Sequence, residues 1–117
     1  MEVKGRRMSR RRCFALDLVD DAGLIADYEA RHAPGAVWPA VIAHLRASGV
    51  EAMEIWRSGD RLVMIAETRA DWSLAVAAPP EIARWEEEMW RFQRALPHAA
   101  PGEKWVAMHR IFTLDDE

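Results

Sequence analysis

Polar and apolar residues alternate along several stretches of the chain. Alternation over residues 12–19, 50–57 and 61–68 predicts three strands, because successive side chains of a strand point to opposite faces. The second and third of these strands flank Ser58-Gly59-Asp60, which predicts a tight hairpin. A further alternating run over residues 104–114 predicts a closing strand.

Apolar positions three and four residues apart predict two helical runs before the hairpin. The pair Asp20-Asp21 supplies an N-cap and negative charge at the first turn of the first run. The residues that follow at helical spacing are Leu24, Ile25, Tyr28 and His32. The second run starts after Trp38-Pro39, and Gly49 is expected to cap its end.

A stronger helical pattern lies between the hairpin and the closing strand. Residues 70–78 predict a short helix, which Pro79 and Pro80 interrupt. Residues 81–96 predict a long amphipathic helix with its charged residues largely on the outer side. The apolar stripe of that helix comprises Ile82, Trp85, Met89, Phe92 and Leu96.

The resulting order β-α-β-β-α-β predicts an α+β, ferredoxin-like fold with a four-stranded antiparallel sheet. Its helices cover one face of the sheet, so the other face is wet or covered by a partner. Large apolar side chains remain on that face in either register of the second and last strands. We therefore expect a two-fold homodimer, sheet against sheet, in the manner of a dimeric α+β barrel.

The length of 117 residues predicts one domain, residues 12–117, preceded by a basic flexible tail, residues 1–11. The first twelve residues carry six basic side chains and one acidic side chain, although the whole chain has a net charge of −3. This short segment has no aromatic residue to stack on bases, and the domain behind it is acidic. The sequence therefore predicts no nucleic-acid partner.

The remaining compositional features point to the cytoplasm. No apolar run approaches the roughly 20 residues of a membrane helix, so no membrane partner is predicted. The basic N-terminal residues lack the apolar stretch of a secretory signal. The single cysteine, Cys13, fits a reducing compartment, and we expect it to be a buried, inert thiol.

Tyr28 and His32 are the leading candidates for chemistry. A spacing of four residues places them on one face of a helix, one turn apart. Pro34 and Gly35 then make it hard for the helix to continue, which leaves His32 at a helix end, where its side chain can face a pocket. Imidazole exchanges protons near neutral pH, but most single tyrosines and histidines are structural. The pair is therefore either an acid–base site or part of the packing.

Other kinds of site have no support in the sequence. The four histidines show no i, i+4 pair and no carboxylate spacing typical of a metal site. A phosphate-binding glycine loop, a nucleophile elbow and a dinucleotide fingerprint are all missing from the sequence. We predict neither a metal nor a cofactor.

Several segments, taken in order along the chain, resemble the L-rhamnose mutarotases, including relatives assigned to L-fucose. The resemblance covers residues 12–114, and its most specific part is Tyr28 and His32 followed by Val37-Trp38-Pro39. Further matching segments are residues 13–18, Met53 to Arg57, Trp85 to Trp90 and Lys104 to Val106. The resemblance implies a dimeric enzyme, an isomerase, that interconverts the α and β anomers of a 6-deoxy-L-hexose.

The same resemblance implies roles for individual residues. His32 matches the proton donor of the family, and Tyr28 and Trp85 match residues that line the sugar site. Two positions depart from the best-known rhamnose pattern, because Met53 stands where a sugar-contacting tyrosine is found and Glu86 where a second tryptophan is found. Both departures bear on which sugar fits, so L-rhamnose and L-fucose stay open.

The remaining site residues are weaker candidates. Glu54 and Glu86 are candidates for holding sugar hydroxyls, although surface carboxylates are usually only solvated. Four tryptophans are expected in the core or at an interface: Trp38, Trp56, Trp90 and Trp105. Two other functions fit the same fold, namely a non-catalytic sugar-binding module and a cofactor-independent monooxygenase or haem-degrading relative.

Overall fold

The computed structural model describes residues 9–73 and 78–116, which form a mixed α+β domain. The strands are β1 Ser9–Leu18, β2 Val50–Ser58, β3 Arg61–Arg69, β4 Gln93–Arg94 and β5 Val106–Ala107. The helices are α1 Ala22–Arg31, α2 Pro39–Ser48 and α3 Pro80–Met89, and a short 3-10 helix, Leu114–Asp116, follows β5. Both helices before the hairpin lie close to their predicted bounds.

The strands form one antiparallel sheet in the order β2-β3-β1-β4, and β5 also pairs with β1. Both β4 and β5 lie on the side of β1 opposite β3, because Asp17 pairs with Arg61 and Arg94, and Phe14 pairs with Met64 and Ala107. The short strands β4 and β5 thus together occupy the position of the single fourth strand that the sequence predicts. The predicted ferredoxin-like α+β architecture is confirmed.

The core lies between the three helices and one face of the sheet. Leu18 and Leu62 project from the sheet into a cluster with buried residues of all three helices. The other buried members of this cluster are Tyr28, Val41, Ile82, Trp85, Met89 and Phe92. Two residues of the candidate site, Tyr28 and Trp85, are therefore part of the packed interior, which limits how far they can move.

The β2–β3 hairpin is confirmed as predicted, and it shows why two of the glycines are present. Gly59 adopts a φ of +61° in the turn between the strands, a backbone conformation that residues with a Cβ rarely adopt. Gly49 ends α2 with a φ of +109° and leads directly into β2. These two turns bring β2 back beside α1.

The long helix predicted over residues 81–96 is shorter than expected, because α3 ends at Met89. The next three backbone N–H groups bond to carbonyls three residues back, which tightens the helix end. The carbonyl of Phe92 then accepts a bond from the N–H of Val19, and Gln93 pairs with Leu18. Pairing with β1 therefore overrides helical spacing here, although the predicted apolar stripe is buried.

The closing strand predicted over residues 104–114 is wrong for most of its length. Within the described part of the chain, the strand is limited to Val106–Ala107, and the N–H of Met108 adds one 2.8 Å bond to the carbonyl of Cys13. Beyond this point the side chains are open to solvent, with Ile111 91% and Phe112 64% exposed. Alternation indicates a two-faced segment, but it does not identify what the segment pairs with.

The short helix predicted over residues 70–78 is also wrong where it can be compared. Residues 70–73 and 78 are not helical, and residues 74–77 lie outside the described residues. The ring of Trp72 packs edge-on against Phe14 at 6.0 Å, and the guanidinium carbon of Arg12 lies 5.4 Å from the centroid of that ring. Residues 70–73 therefore place Trp72 against β1 instead of forming the helix that the sequence pattern predicted.

The predicted basic tail, residues 1–11, overlaps with β1 at its last three residues. Ser9 already pairs with Arg69, and the Nε of Arg11 lies 3.1 Å from Oε2 of Glu67, so residues 9–11 belong to β1. Residues 1–8 lie outside the described residues. Residues 9–11 of β1 therefore precede the predicted start of the domain at residue 12.

The register also identifies the side chains on the face of the sheet away from the helices. Trp56, Val63, Ala15 and Val106 are neighbours in one row across that face, because their strand neighbours point into the core. Trp56 is exposed there, and Cys13 on the same face is half-buried rather than fully buried as expected. Within residues 9–73 and 78–116, no helix has the length and apolar character needed to cross a bilayer.

Candidate active site

The site is built around the C-terminal end of α1. The carboxylate of Asp21 caps the start of this helix by accepting a 2.9 Å bond from the N–H of Leu24. The helix ends at His32, whose φ of −111° is no longer helical. Gly35 then turns the chain with a φ of +84°, and α2 starts at Pro39. The break after His32 that the sequence predicts is therefore present.

The rings of Tyr28 and His32 face each other across one turn of α1. Their centroids are 4.3 Å apart, with an angle of 37° between the ring planes. The Nδ1 of His32 lies 2.8 Å from the backbone carbonyl oxygen of Tyr28. Because a carbonyl oxygen can only accept a hydrogen bond, Nδ1 is the protonated nitrogen, and Nε2 is the one that can exchange a proton with a ligand.

Aromatic residues from two other elements surround this imidazole. Trp85 of α3 is buried and meets His32 edge-on, with ring centroids 5.8 Å apart. Trp38, which precedes α2, packs edge-on against Trp85 at 5.1 Å. The ring of Phe92 lies 5.9 Å from that of Tyr28. His32 is thus held beside an aromatic wall.

Two adjoining cavities meet at Tyr28, His32 and Ile55, which line both of them. The first, of about 330 Å³, lies between α1 and β2. At its edge the Nε of Arg57 pairs with Oε2 of Glu29 at 2.5 Å. The second cavity, of about 210 Å³, lies between the helices and the sheet and is lined mostly by apolar and aromatic residues. Apolar walls with few polar groups are typical of small-molecule sites.

The phenol of Tyr28 stays neutral in this environment. Burial raises the pKa of Tyr28 to about 12, an effect to which the nearby carboxylate of Glu86 adds, and the hydrogen bond from Gln93 acts in the opposite direction. The Nε2 of Gln93 donates that bond to the phenol oxygen at 3.3 Å. Tyr28 therefore offers a hydroxyl group rather than a negative charge to a ligand.

Glu86 stands at the edge of the inner cavity and is held in place by Lys104. The Nζ of Lys104 lies 2.7 Å from Oε1 of Glu86 and 2.7 Å from the backbone oxygen of the same residue. The Lys104 side chain is 11% exposed, and burial lowers its pKa while the charge of Glu86 opposes that change. The ammonium also lies 4.9 Å from the ring centroid of Trp90.

Five of the six site residues predicted from the sequence lie together. Those that line the cavities are Tyr28, His32, Met53, Trp85 and Glu86. Glu54 is not among them, because its neighbours along β2 face the helices and its own side chain is therefore on the opposite face. Glu54, predicted as a carboxylate that could hold a sugar hydroxyl, lines a different cavity, together with Arg11, Ala52, Met53, Ile65 and Glu67.

Other residues in the cavities were not identified as site residues from the sequence. Gln93, Trp72 and Trp105 line the inner cavity, and Trp56, although its side chain is on the outer face of the sheet, borders the outer cavity at the edge strand β2. Gln93 follows Met89 by four residues, so the helical stripe contained a signal for it, a single amide among apolar positions. Trp105 was assigned to the core or an interface, because its position depends on the course of the loop before β5.

Among residues 9–73 and 78–116, no group of three or more histidine, cysteine or acidic side chains lies close enough together to hold a metal ion. The polar groups that the inner cavity offers include an imidazole, a phenol, an amide and a paired carboxylate. These groups suit proton transfer and recognition of hydroxyl groups.

Comparison with known proteins adds independent information. The sequence profile of the L-rhamnose mutarotases matches residues 11–114. An L-fucose mutarotase of Xanthomonas campestris pv. campestris is 51% identical over 112 residues, which cover 92% of this chain and 90% of the relative. An L-rhamnose mutarotase of Verminephrobacter eiseniae is 37% identical over 70 residues, which cover 57% of this chain and 64% of that protein.

Similarity is also found among solved structures. The crystal structure of an L-rhamnose mutarotase from Formosa agariphila matches with a TM-score of 0.69 and 18% sequence identity. The match covers 90% of this chain and 98% of that structure. At this level of identity the likeness shows a shared fold.

Proposed function

This chain belongs to the L-rhamnose mutarotase family, and from that premise we propose that it interconverts the α and β anomers of a 6-deoxy-L-hexose, with L-fucose as the preferred sugar. The reaction is an isomerisation. The observation that carries the proposal is the imidazole of His32, held at a helix end between Tyr28 and Trp85 and lining both cavities. The choice of L-fucose is supported by the L-fucose mutarotase of Xanthomonas campestris pv. campestris, whose alignment covers 92% of this chain.

The chemistry needs only proton transfer. A base, for which solvent water suffices, takes the proton of the anomeric hydroxyl, and an acid delivers a proton to the ring oxygen, so that the C1–O5 bond breaks and the open-chain aldehyde forms. Rotation about the C1–C2 bond followed by ring closure gives either anomer. Positioned acid–base catalysis accelerates such steps by roughly 10²–10⁴-fold, which suits a reaction that already proceeds in water.

His32 is the acid in this scheme, acting at the ring oxygen or at the anomeric hydroxyl. Its Nδ1 is occupied by the bond to the carbonyl of Tyr28, so the proton moves through Nε2. The acid form is the imidazolium, in which both ring nitrogens carry a proton. Once Nε2 has given its proton to the ring oxygen, it is an acceptor and takes the proton back when the ring closes. The same nitrogen therefore serves both directions of a reversible reaction.

Tyr28 and Trp85 orient the sugar around that nitrogen. The neutral phenol of Tyr28 donates or accepts a hydrogen bond without placing a charge beside the ring. The ring of Trp85 offers an apolar surface to the C–H groups and the methyl group of a deoxy sugar. Met53, which departs from the tyrosine of the best-known rhamnose pattern, adds a flexible apolar contact.

Glu86 supplies a charged acceptor for a sugar hydroxyl. Lys104 holds its Oε1, and the second carboxylate oxygen of Glu86 has no bond to another of the described side chains, so it can accept a bond from a ligand. A carboxylate fixed by an ion pair loses less side-chain freedom on binding than a solvated one. Glu54 has no part in this scheme, since it lies on the other face of the sheet.

We also infer that the protein is a two-fold homodimer. Large apolar side chains of the segment after β5 are exposed, as is Trp56 on the face of the sheet away from the helices. The exposed members of that segment are Met108, Ile111, Phe112 and Leu114. A second copy packed against these residues, sheet against sheet, would remove them from water.

The proposed location is the cytoplasm. Cys13 is the sole cysteine of the sequence, so an internal disulfide is impossible. Chains without disulfides are typical of reducing compartments.

Saturation-transfer NMR tests the proposal directly, because it measures exchange between the anomer signals of a sugar. The purified protein should raise the exchange rate of L-fucose, with L-rhamnose slower and the enantiomer D-fucose close to the rate in buffer. Exchange at the buffer rate for every sugar would overturn the proposal. Transfer of saturation from protein to sugar without faster exchange would instead identify a sugar-binding module.

A further inference from the structure

The structure points to a residue of the sugar site that the family pattern did not assign. We propose that Gln93 determines specificity by accepting, through Oε1, a hydrogen bond from one hydroxyl of the bound sugar. This inference rests on the proposed mutarotase function and assigns a binding group to the same site. Three features of the side-chain amide of Gln93 support it: its burial, its hydrogen bonding and its position in the wall of the cavity.

The amide of Gln93 is buried and only half paired. The residue is 6% exposed, and its Oε1 has no hydrogen-bond partner among the residues that the structure describes. An unpaired buried acceptor destabilises a folded protein, and almost all such groups in native proteins are paired. An acceptor left unpaired at the wall of a cavity is what a site that binds hydroxyl groups requires.

The backbone fixes the direction in which this amide points. Gln93 pairs with Leu18 of β1, and its N–H donates a 3.3 Å bond to the carbonyl of Trp90. The neighbouring Arg94 points the other way and pairs with Asp60 at 2.9 Å. Gln93 is thereby held on the core side of the sheet, in the wall of the cavity that also contains His32 and Trp85.

The bond from Gln93 also determines what Tyr28 can offer. Because Nε2 of Gln93 donates to the phenol oxygen, the hydroxyl proton of Tyr28 is available to a ligand. One donor from Tyr28 and one acceptor from Gln93 then stand side by side in the cavity. Neighbouring ring hydroxyls of a sugar match such a pair, since each hydroxyl both donates and accepts.

The experiment compares the wild-type protein with Gln93→Met on L-fucose and on its 2-, 3- and 4-deoxy analogues. The change to methionine keeps the length of the side chain and removes both polar atoms. We expect kcat/KM on L-fucose to fall roughly 10- to 100-fold, mainly through KM, because the site loses one group that recognises a hydroxyl. On the analogue that lacks the contacted hydroxyl, the variant and the wild type should be equal.

Two further variants make the result decisive. Arg94→Met changes the next residue of β4, on the outer face, and should leave kcat/KM on every sugar close to that of the wild type. Gln93→Glu retains an acceptor oxygen at the same place and should preserve the dependence on the contacted hydroxyl. Thermal unfolding of all three variants establishes that each is folded.

The outcomes separate this inference from the proposed function. A Gln93→Met variant that loses activity equally on all four sugars, or on none, would overturn the role of Gln93. A wild-type protein that does not accelerate anomer exchange would overturn the mutarotase function itself. A Gln93→Met variant that fails to fold leaves the Gln93→Glu profile to decide, since loss of hydroxyl dependence there also contradicts the inference.

Discussion

The Nδ1 of His32 lies 2.8 Å from the backbone carbonyl oxygen of Tyr28, one helical turn earlier in the same helix. A backbone group therefore orients the imidazole, where many enzymes use a carboxylate. The arrangement depends on the helix ending at His32, because further helical turns would occupy that carbonyl with a backbone N–H. The same helix end thus fixes both the ring nitrogen that is protonated and the direction of the other one.

Replacement of His32 by alanine should remove the acid while leaving the sugar contacts in place. We expect the enzymatic exchange rate to fall by roughly 10²–10⁴-fold, the range that one positioned acid–base group contributes. Saturation-transfer NMR on L-fucose measures the rate. His98→Ala, an exposed histidine in the loop before β5, is the matched control and should exchange at the wild-type rate. Full activity in His32→Ala would remove the catalytic assignment.

Ionisation of Tyr28 should be displaced to high pH. The sequence contains one tyrosine, so the ultraviolet absorbance of tyrosinate reports this residue alone. Burial raises the pKa of Tyr28 to about 12 in the folded protein. The unfolded chain should titrate near ~10, the ordinary value for tyrosine. A native titration midpoint near the ordinary value would show that the phenol is not buried as described.

The same shift has a consequence for stability. A pKa that is higher in the folded protein means that the unfolded state loses its proton first as the pH rises. The contribution of Tyr28 to the free energy of unfolding is therefore complete below pH ~10 and declines as the pH approaches 12. Urea unfolding between these pH values should show a steeper loss for the wild type than for Tyr28→Phe.

Local signals in the sequence predicted the part of the site that lies on α1. Asp21 caps the helix, and Pro34 with Gly35 prevents its continuation, so the position of His32 at a helix end follows from neighbouring residues. The hairpin around Gly59 was equally local. Features decided by residues within a few positions of one another could be read from the sequence without knowledge of the fold.

Features decided by distant pairing could not be read in this way. Gln93 has helical spacing from Met89, yet it belongs to a strand because the backbone of β1 is available beside it. The segment after Ala107 alternates like a strand but leaves the sheet. Hydrophobic periodicity gives the faces of a segment, whereas its partner depends on the assembled fold.

The sugar preference should respond to Met53 and Glu86 together. Both line the inner cavity, and both differ from the best-known rhamnose pattern. We expect the double variant Met53→Tyr/Glu86→Trp to raise kcat/KM on L-rhamnose relative to L-fucose by roughly 10-fold or more, since each change alters groups that face the sugar. L-rhamnose and L-fucose differ in configuration at C2 and C4, so rates on both sugars define the ratio.

Glu54→Trp is the matched control for this change in preference. It introduces an aromatic ring beside Met53 in the same strand, but on the opposite face of the sheet. Its ratio of rates on the two sugars should equal that of the wild type. An unchanged ratio in the double variant would place the determinants of sugar preference elsewhere in the cavity.

Two glycines should differ in how they tolerate alanine. Gly49 has a φ of +109°, and an added Cβ would lie 2.9 Å from the guanidinium carbon of Arg69. Gly59 has a φ of +61° and open space around an added Cβ. Gly59→Ala should cost about 1–2 kcal/mol for its left-handed backbone. Gly49→Ala should cost more, since its φ lies outside the usual left-handed region and Arg69 must also move. Urea denaturation at neutral pH measures both, and equal costs would contradict the crowding at Gly49.

The proposed homodimer should depend on the segment after β5. The double variant Ile111→Asp/Phe112→Asp places two charges where two exposed apolar side chains lie, at 91% and 64% exposure. If these residues meet a second copy, the charges would have to be desolvated in the interface, so the variant should sediment as a 13.4 kDa monomer while the wild type sediments as a dimer.

Ala83→Asp adds one charge at an exposed position of α3 and should leave the dimer intact. Neither changed residue in the double variant is buried within its own chain, so the core should stay intact. Cooperative thermal unfolding of the monomeric variant would show that the change acts on the interface and not on the core. A double variant that still sediments as a dimer would exclude this segment from the interface, and a monomeric wild type would exclude the dimer itself.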